Sequence, residues 1–278
     1  MTRLSFASAL RWLVFVAAAV ILNFPVISTV ITSLKSDAEI TSNASLVIEH
    51  PTLVNYSHIF AMADRFDMVH YLENSVIEAS LGAALSILFA LPAAYAMIRF
   101  GVGEKWLLPI VTNLRAIPLI IFSIPIYLMY QGAHLLDTRF GLALILCLVN
   151  LPLVLILLAN AMRDLPAELD EAARIDGTPT WGILVYIVLP LLRPIIAASA
   201  VLAFIYSWNE FLFGLMLTTS AAVPVTVGAS FFFSASGGGV QWGVAAAVMI
   251  VSALPPLILG LVAYRHIGRS MTAGAVKG

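Results

Sequence analysis

Charge is scarce in this chain. Asp, Glu, Lys and Arg make up 10% of its 278 residues, against roughly 25% in a soluble globular domain. With 61% hydrophobic residues and a mean hydropathy of +1.01, a water-soluble globule is excluded. Disorder is excluded too, because it needs low hydrophobicity and high net charge. An excess of either sign is also missing: 14 basic and 15 acidic residues leave nothing to neutralise phosphates, which argues against nucleic acid as a partner. Cysteine is nearly absent. Cys147 stands alone inside the apolar run 140–162, so there is neither a disulfide framework nor a thiolate metal cluster, and we read it as a small buried core thiol. No His/Asp/Glu cluster, nucleophile elbow or metal motif occurs, so no catalytic residue and no metal ligand is assigned. His50, His58 and His70 share one polar segment, but their spacing matches no ligand pattern and a solvated loop is the better reading.

What the chain does have is long uncharged stretches. A helix crossing the roughly 30 Å hydrocarbon layer needs about 20 residues. Between Arg11 and Lys35 lie 23 uncharged residues, between Glu78 and Arg99 lie 20, and between Arg139 and Arg163 lie 23. The stretch 106–136 is interrupted only by Arg115, and 194–264 only by Glu210. The latter is too long for one span and divides where Thr218, Thr219, Ser220, Pro224 and the run Ser234 to Gly239 gather, since such residues punctuate helices. The expected fold is therefore an all-α integral membrane protein of six transmembrane helices, near 12–34, 72–98, 107–131, 140–161, 195–217 and 241–264. The first apolar run exceeds the usual signal-peptide core and lacks a clear small-x-small cleavage site, so it is kept as a span.

Basic residues accumulate in cytoplasmic loops. With the N-terminus inside, Arg3, Arg11, Arg99, Lys105, Arg163, Arg174, Arg193, Arg265, Arg269 and Lys277 fall inside, and only Lys35, Arg65 and Arg139 outside. Both termini are therefore expected in the cytoplasm. The segment 35–71, polar and carrying Pro51, is expected to lie over the outer mouth as short helices.

The internal segment 163–193 is the most informative. Asp164 can cap a first short helix, Pro166 is tolerated in its first turn, and Glu168, Asp170 and Glu171 put negative charge where the helix dipole favours it. Asp176-Gly177 stops that helix, because Gly adopts the left-handed conformation cheaply and Thr178-Pro179 forbids simple continuation. Thr180 can cap a second segment through Trp181, Leu184, Tyr186 and Val188, closed by Pro190. On the first helix Glu168, Glu171 and Ile175 share a face, and Ala172 and Ala173 keep the neighbouring surface low. Such a helix fits a groove on a partner; periodicity alone equally allows a helix lying on the membrane.

Glu171-Ala172-Ala173-Arg174-Ile175-Asp176-Gly177, followed by Ile187-Val188-Leu189-Pro190 and Pro194, resembles the EAA loop of ABC importer permeases. The resemblance extends over most of the chain and points to the carbohydrate-importing branch with maltose-type and trehalose-type permeases. Asn74-Ser75, Ala93-Ala94-Tyr95-Ala96 with Arg99-Phe100, Ile117-Pro118, Leu136-Asp137-Thr138, Trp208-Asn209-Glu210-Phe211 and the ending from Thr272 to Gly278 agree with it. The segment 35–71 matches only loosely.

This resemblance implies a type I ABC importer permease fold in the bacterial inner membrane. It also implies a second, different permease subunit, two ATP-binding subunits, and a periplasmic solute-binding protein that delivers sugar. ATP and Mg would belong to the partner ATPase: this chain has no Gly-x-x-x-x-Gly-Lys-Ser/Thr loop to cradle phosphates and is expected to bind no cofactor. The implied organisation is a first helix and tail 1–34, a periplasmic loop 35–71, and a core 72–264 that holds the coupling loop 163–193 and a periplasmic loop 218–240. A cytoplasmic tail 265–278 follows. Glu171, Ala172, Ala173, Asp176, Gly177, Leu189 and Pro190 become the ATPase-coupling residues, with Glu171 as polar contact and Gly177 as the hinge-like break.

Ionisable residues inside spans normally face protein or water. Arg115 either faces the translocation path or the partner permease, or forms an internal ion pair or snorkels to the cytoplasmic side. Glu210, with Trp208 and Asn209, offers the aromatic and hydrogen-bonding groups a sugar needs, although an interfacial aromatic belt also places Trp there. A secondary transporter is the main rival reading, but no inverted repeat or set of coupling acids is present.

Overall fold

The computed structural model describes residues 6–61, 66–114, 117–233 and 240–274. Among them there is no strand. The chain divides into two compact units, Met1–Met68 with Ala229–Ala253, and Val69–Gly228 with Leu254–Gly278.

The first unit begins with α1, Phe6–Ser33, whose apolar window is wholly unburied within the chain. A polar knot caps its end. Ser36 accepts the Glu39 amide at 3.3 Å and starts α2, Asp37–Ser42. Lys35 Nζ donates to the carbonyls of Asn43 and Ser45 at 3.0 and 2.7 Å, and the Glu39 carboxylate accepts the amides of Glu49 and His50. The Glu49 amide leads in holding Glu39 below the ordinary carboxylate value. From α3, Val54–Ala61, the buried Asn55 donates to the carbonyls of Ser33 and Lys35 at 2.9 and 2.8 Å, the first of them a carbonyl that the end of α1 leaves open. Gly243 lies so close to the Asn55 amide that a Cβ there would sit 2.6 Å from its Oδ1. In the same unit Phe66 packs on Phe231 and Phe232, with ring centroids 6.1 and 5.1 Å apart.

The second unit is built on α4, Met68–Phe100. It continues with α5, Leu107–Leu114, a 3-10 turn Leu119–Phe122, α6, Ser123–Gly132, and α7, Arg139–Arg163. The expected span 107–131 is thus carried in pieces. Pro118 has no N–H to donate and disfavours helix in the residue before it, and here the helix gives way, whereas α4 and α7 run on through Pro92 and Pro152. Next come α8, Glu168–Ile175, α9, Thr180–Ile183, a π-helical turn Leu184–Val188, α10, Leu189–Leu191, and α11, Arg193–Trp208. The segment 180–191 meets α11 at 79°. Then follow α12, Leu212–Leu217, α13, Val225–Phe231, and α14, Trp242–Gly274, the last two running through the boundaries between the units. The expected span 195–217 is divided too, because Glu210 starts a new helix there.

Among the described residues four helices are long and apolar enough to cross a bilayer, and five if the bent pair counts as one. The core of the second unit joins Ala90, Ala94 and Met97 of α4 to Leu158 and Met162 of α7, and Ile183 to Ala203 of α11. Gly82 lets α4 and α7 approach: a Cβ there would lie 2.8 Å from Leu146 Cβ. One turn on, the Ser86 hydroxyl donates to the carbonyls of Gly82 and Cys147. Small residues at such a crossing let helices associate in lipid. Gly82→Leu is expected to cost about 3 kcal/mol or more through overpacking, seen as a lower unfolding temperature and loss of monodisperse protein in detergent; an unchanged melting curve would contradict the close contact.

Candidate functional site

At one end of the second unit the segment 163–193 folds over the helix ends. Asp164 sits at the C-terminal cap of α7 instead of opening the next helix, and α8 starts after Pro166, at Glu168, without a side-chain cap. Its two faces differ sharply. Glu168, Glu171, Ala172 and Ile175 are exposed, Ile175 at 87%, whereas Asp170 and Ala173 are buried. Glu168, Glu171 and Ile175 therefore do share an outward face, but Ala173 does not flank it and packs into the core. Gly177 ends the helix with φ +81° and open space around its Cβ position, and Thr178 N–H returns to the Ala173 carbonyl at 2.9 Å. That is the left-handed stop its sequence implies.

Beyond it, Leu184 and Val188 are buried while Trp181 and Tyr186 are exposed. Pro190 does not close this segment: the chain stays helical through Leu191. The π-helical turn before it absorbs the N–H that Pro190 lacks and the clash of its ring with the preceding turn. Thr180 does not cap the segment, which follows Pro179 with no side-chain cap bond. Leu189 and Pro190 are half-buried.

Buried polar contacts attach α8 to the end of α4. Arg99 forms an ion pair with Asp170, their side chains 9% and 3% exposed, and Arg99 Nη2 donates to the Leu165 carbonyl at 3.0 Å. The Arg174 guanidinium lies 5.1 Å over the Phe100 ring, which meets Tyr95 edge-on.

At the opposite end of the unit, Asp137 organises the chain after α12. With φ +55°, its carboxylate accepts the amides of Thr219, Ser220, Ala221 and Ala222 and the hydroxyls of Thr219 and Ser220, all at 2.9–3.2 Å. Burial works against ionisation here, but the amides outweigh it and hold the Asp137 carboxyl well below the usual carboxylate range. Beside it Asn74 donates to the carbonyls of Ala221 and Val223 and accepts from Arg139 Nε at 2.7 Å, and Ser75 Oγ accepts the Val225 amide.

Of the residues singled out within the spans, Trp208 is buried and stacks on Phe204 at 5.6 Å. Asn209 donates to the Ile205 carbonyl. The Glu210 carboxylate accepts the amides of Phe213 and Gly214 at 3.0–3.2 Å and so caps α12. Arg115 lies outside the described residues, as do Ser234 to Gly239. Sequence reasoning missed the hold of Asp137 on the chain after α12 and the pairing of Arg99 with Asp170, and it passed over Glu78. Glu78 is 1% exposed, neither carboxylate oxygen has a hydrogen-bond partner, and it lines a small cavity with Ser75, Ser207 and Glu210. The one available signal was an acid within the apolar register of α4.

A multi-pass helical protein whose short amphipathic loop helix is bolted inward by one face and free on the other has the build of a membrane permease subunit. The chain belongs to the family of binding-protein-dependent transport system inner membrane components, whose family model matches residues 85–273. It is 31% identical over 271 residues to the sulfoquinovosyl glycerol transport system permease protein SmoH of Agrobacterium fabrum, covering 95% of this chain and 93% of that one. It is 33% identical over 265 residues to the trehalose/maltose transport system permease protein MalG of Thermococcus litoralis, covering 94% and 93%. A chain from the crystal structure of a bacterial ABC transporter involved in the import of the acidic polysaccharide alginate has the same fold, with a TM-score of 0.78, 21% identity, and coverage of 95% and 98%.

Proposed function

We propose that this chain is the permease subunit of an ATP-driven importer that takes a sugar or sugar derivative from a periplasmic binding protein across the bacterial inner membrane by alternating access. The observation that carries the reading is the free face of α8. Glu168, Glu171 and Ile175 stand outward while Asp170 and Ala173 hold the helix to the core, as docking into a groove on a separate ATP-binding subunit requires. The relatives named for maltose, trehalose and sulfoquinovosyl glycerol transport support a carbohydrate cargo.

In this reading both termini are cytoplasmic, a second permease completes the channel, and two ATP-binding subunits supply ATP and Mg. Glu171, Ala172, Asp176 and Gly177 meet the ATPase, and Ala173, Leu189 and Pro190 shape the loop from within. The 218–240 segment reaches the binding protein and the 265–278 tail reaches the ATPases. Arg115, Trp208, Asn209 and Glu210 belong to the translocation path, Glu210 through the helix start it holds.

The test is ATP hydrolysis by the chain co-expressed with its genomic neighbours in nanodiscs, with and without the binding protein loaded from a panel of sugars. Stimulation by one loaded form is expected. Failure of any ATPase to co-purify would instead favour an ion-coupled carrier.

A further inference from the structure

The loop that carries α8 is covalently continuous with α7 before it and α11 after it, so a push on α8 has an obvious route into those two helices. The buried contacts name a different one. Arg99, near the end of α4, and Asp170, in the first turn of α8, are 71 positions apart and form an ion pair from which water is nearly excluded. Arg99 extends its grip to the Leu165 carbonyl, just ahead of the helix. One turn further along α8, Arg174 covers the ring of Phe100, the last residue of α4. Two successive side chains of α4 thus hold two successive turns of α8.

Buried charge pairs hold their geometry because either partner alone would be left unpaired in a low-dielectric site. Cation–π contact adds a second attachment that does not depend on the first. Ala173 lies between them, small enough for α8 to sit close.

We propose that Arg99 is a positioning residue that fixes the coupling helix α8 to α4, so that the two move as one body when the ATP-binding partner moves α8. This rests on the reading of α8 as the coupling element. It assigns α4 as the first span to receive the motion, and it gives Asp170 and Arg174, which face away from the docking surface or across it, the task of transmitting the motion.

The experiment uses the assembled complex in nanodiscs, with cysteine-free partners and Cys147→Ser in this chain. Spin labels are placed at Leu88→Cys in α4 and at Leu169→Cys in α8, a partly exposed position outside the docking face. Double electron–electron resonance then reads their separation without nucleotide, with ATP in EDTA, and after vanadate trapping. With Arg99 intact the separation is expected to stay the same in all three states. Arg99→Met and Asp170→Asn are each expected to broaden and lengthen it, with loss of stimulated ATP hydrolysis. Arg99→Lys, which keeps a cation against Asp170, retains the narrow distribution.

A separation that changes between states with Arg99 intact overturns the proposal, as does a distribution equally narrow in Arg99→Met. If no ATPase co-purifies with the parent chain, the importer reading fails, and the nucleotide-free comparison of parent with Arg99→Met still decides whether Arg99 holds α8 on α4.

Discussion

Asp137→Ala is expected to free the segment 218–222 from the start of α7 and to destabilise the protein by about 3 kcal/mol. Hydrogen bonds to a charged group contribute roughly 1.5–3 kcal/mol each when isolated. Six donors share this one carboxylate at a half-exposed site where released amides regain water, so the sum is well below six independent bonds. Alanine at φ +55° adds about 1 kcal/mol of left-handed strain. Asn tolerates that conformation and keeps one acceptor oxygen, so Asp137→Asn is expected to fall between the two. Unfolding temperature, together with the rate of proteolytic nicking between residues 218 and 233, checks the ordering.

The pH dependence has a definite sign. Since the folded-state value lies below that of an unfolded Asp, about 3.9, the stabilisation is complete above that unfolded value and fades as pH falls through the lower folded one. The difference between parent and Asp137→Ala should therefore be flat from about pH 5 to 8 and close only in strong acid. A gap that closed near neutrality would put a group other than Asp137 in control of this contact.

Gly177→Asp is expected to leave the chain inserted and assembled with the second permease while abolishing stimulated ATP hydrolysis. The Cβ has open space, because no residue other than its chain neighbours comes within 4 Å of that position. The folding cost is confined to holding a side chain at φ +81°, about 1–2 kcal/mol. Function carries the larger effect. The new carboxylate stands beside Asp176 on the exposed face that also presents Glu168 and Glu171, and it tilts the stop that sets where α8 ends. A loss of about 3 kcal/mol in docking corresponds to roughly a hundredfold weaker association. Gly177→Ala carries the strain without the charge and should retain a measurable part of the stimulation. Unchanged stimulated hydrolysis in Gly177→Asp would remove Gly177 from the docking surface.

Much of the site was legible because its signals are local. The left-handed stop at Gly177 follows from a dipeptide and its proline neighbours, and that Glu168, Glu171 and Ile175 share one face follows from helical spacing. The errors share a cause as well. Asp164 and Thr180 are good capping residues by type, but one completes the preceding helix and the other follows a proline that begins the turn unaided. Pro190 reads as a terminator, yet a π-helical turn upstream accommodates it. Glu210 is a separate case: its carboxylate accepts two amides of its own chain, a contact that its place in the sequence does not announce.

Composition and the spacing of charges, taken alone, determined that this is a helical membrane protein and where four of its long apolar helices lie, since the hydrocarbon layer imposes a length on any uncharged run. Local turn chemistry determined the helix-stop-helix grammar of the 163–193 loop. Only the tertiary structure decided which face of α8 is free, because Asp170 and Glu171 are equivalent by charge until Arg99, 71 residues away, claims one of them. Likewise Asp137 became an organising residue only when the chain 82 to 85 positions later returned its amides to it. Contacts between residues distant in sequence leave no period and no local preference behind, so the packing of α4 against the loop, and of the 218–222 segment against α7, could be known only once the chain was folded.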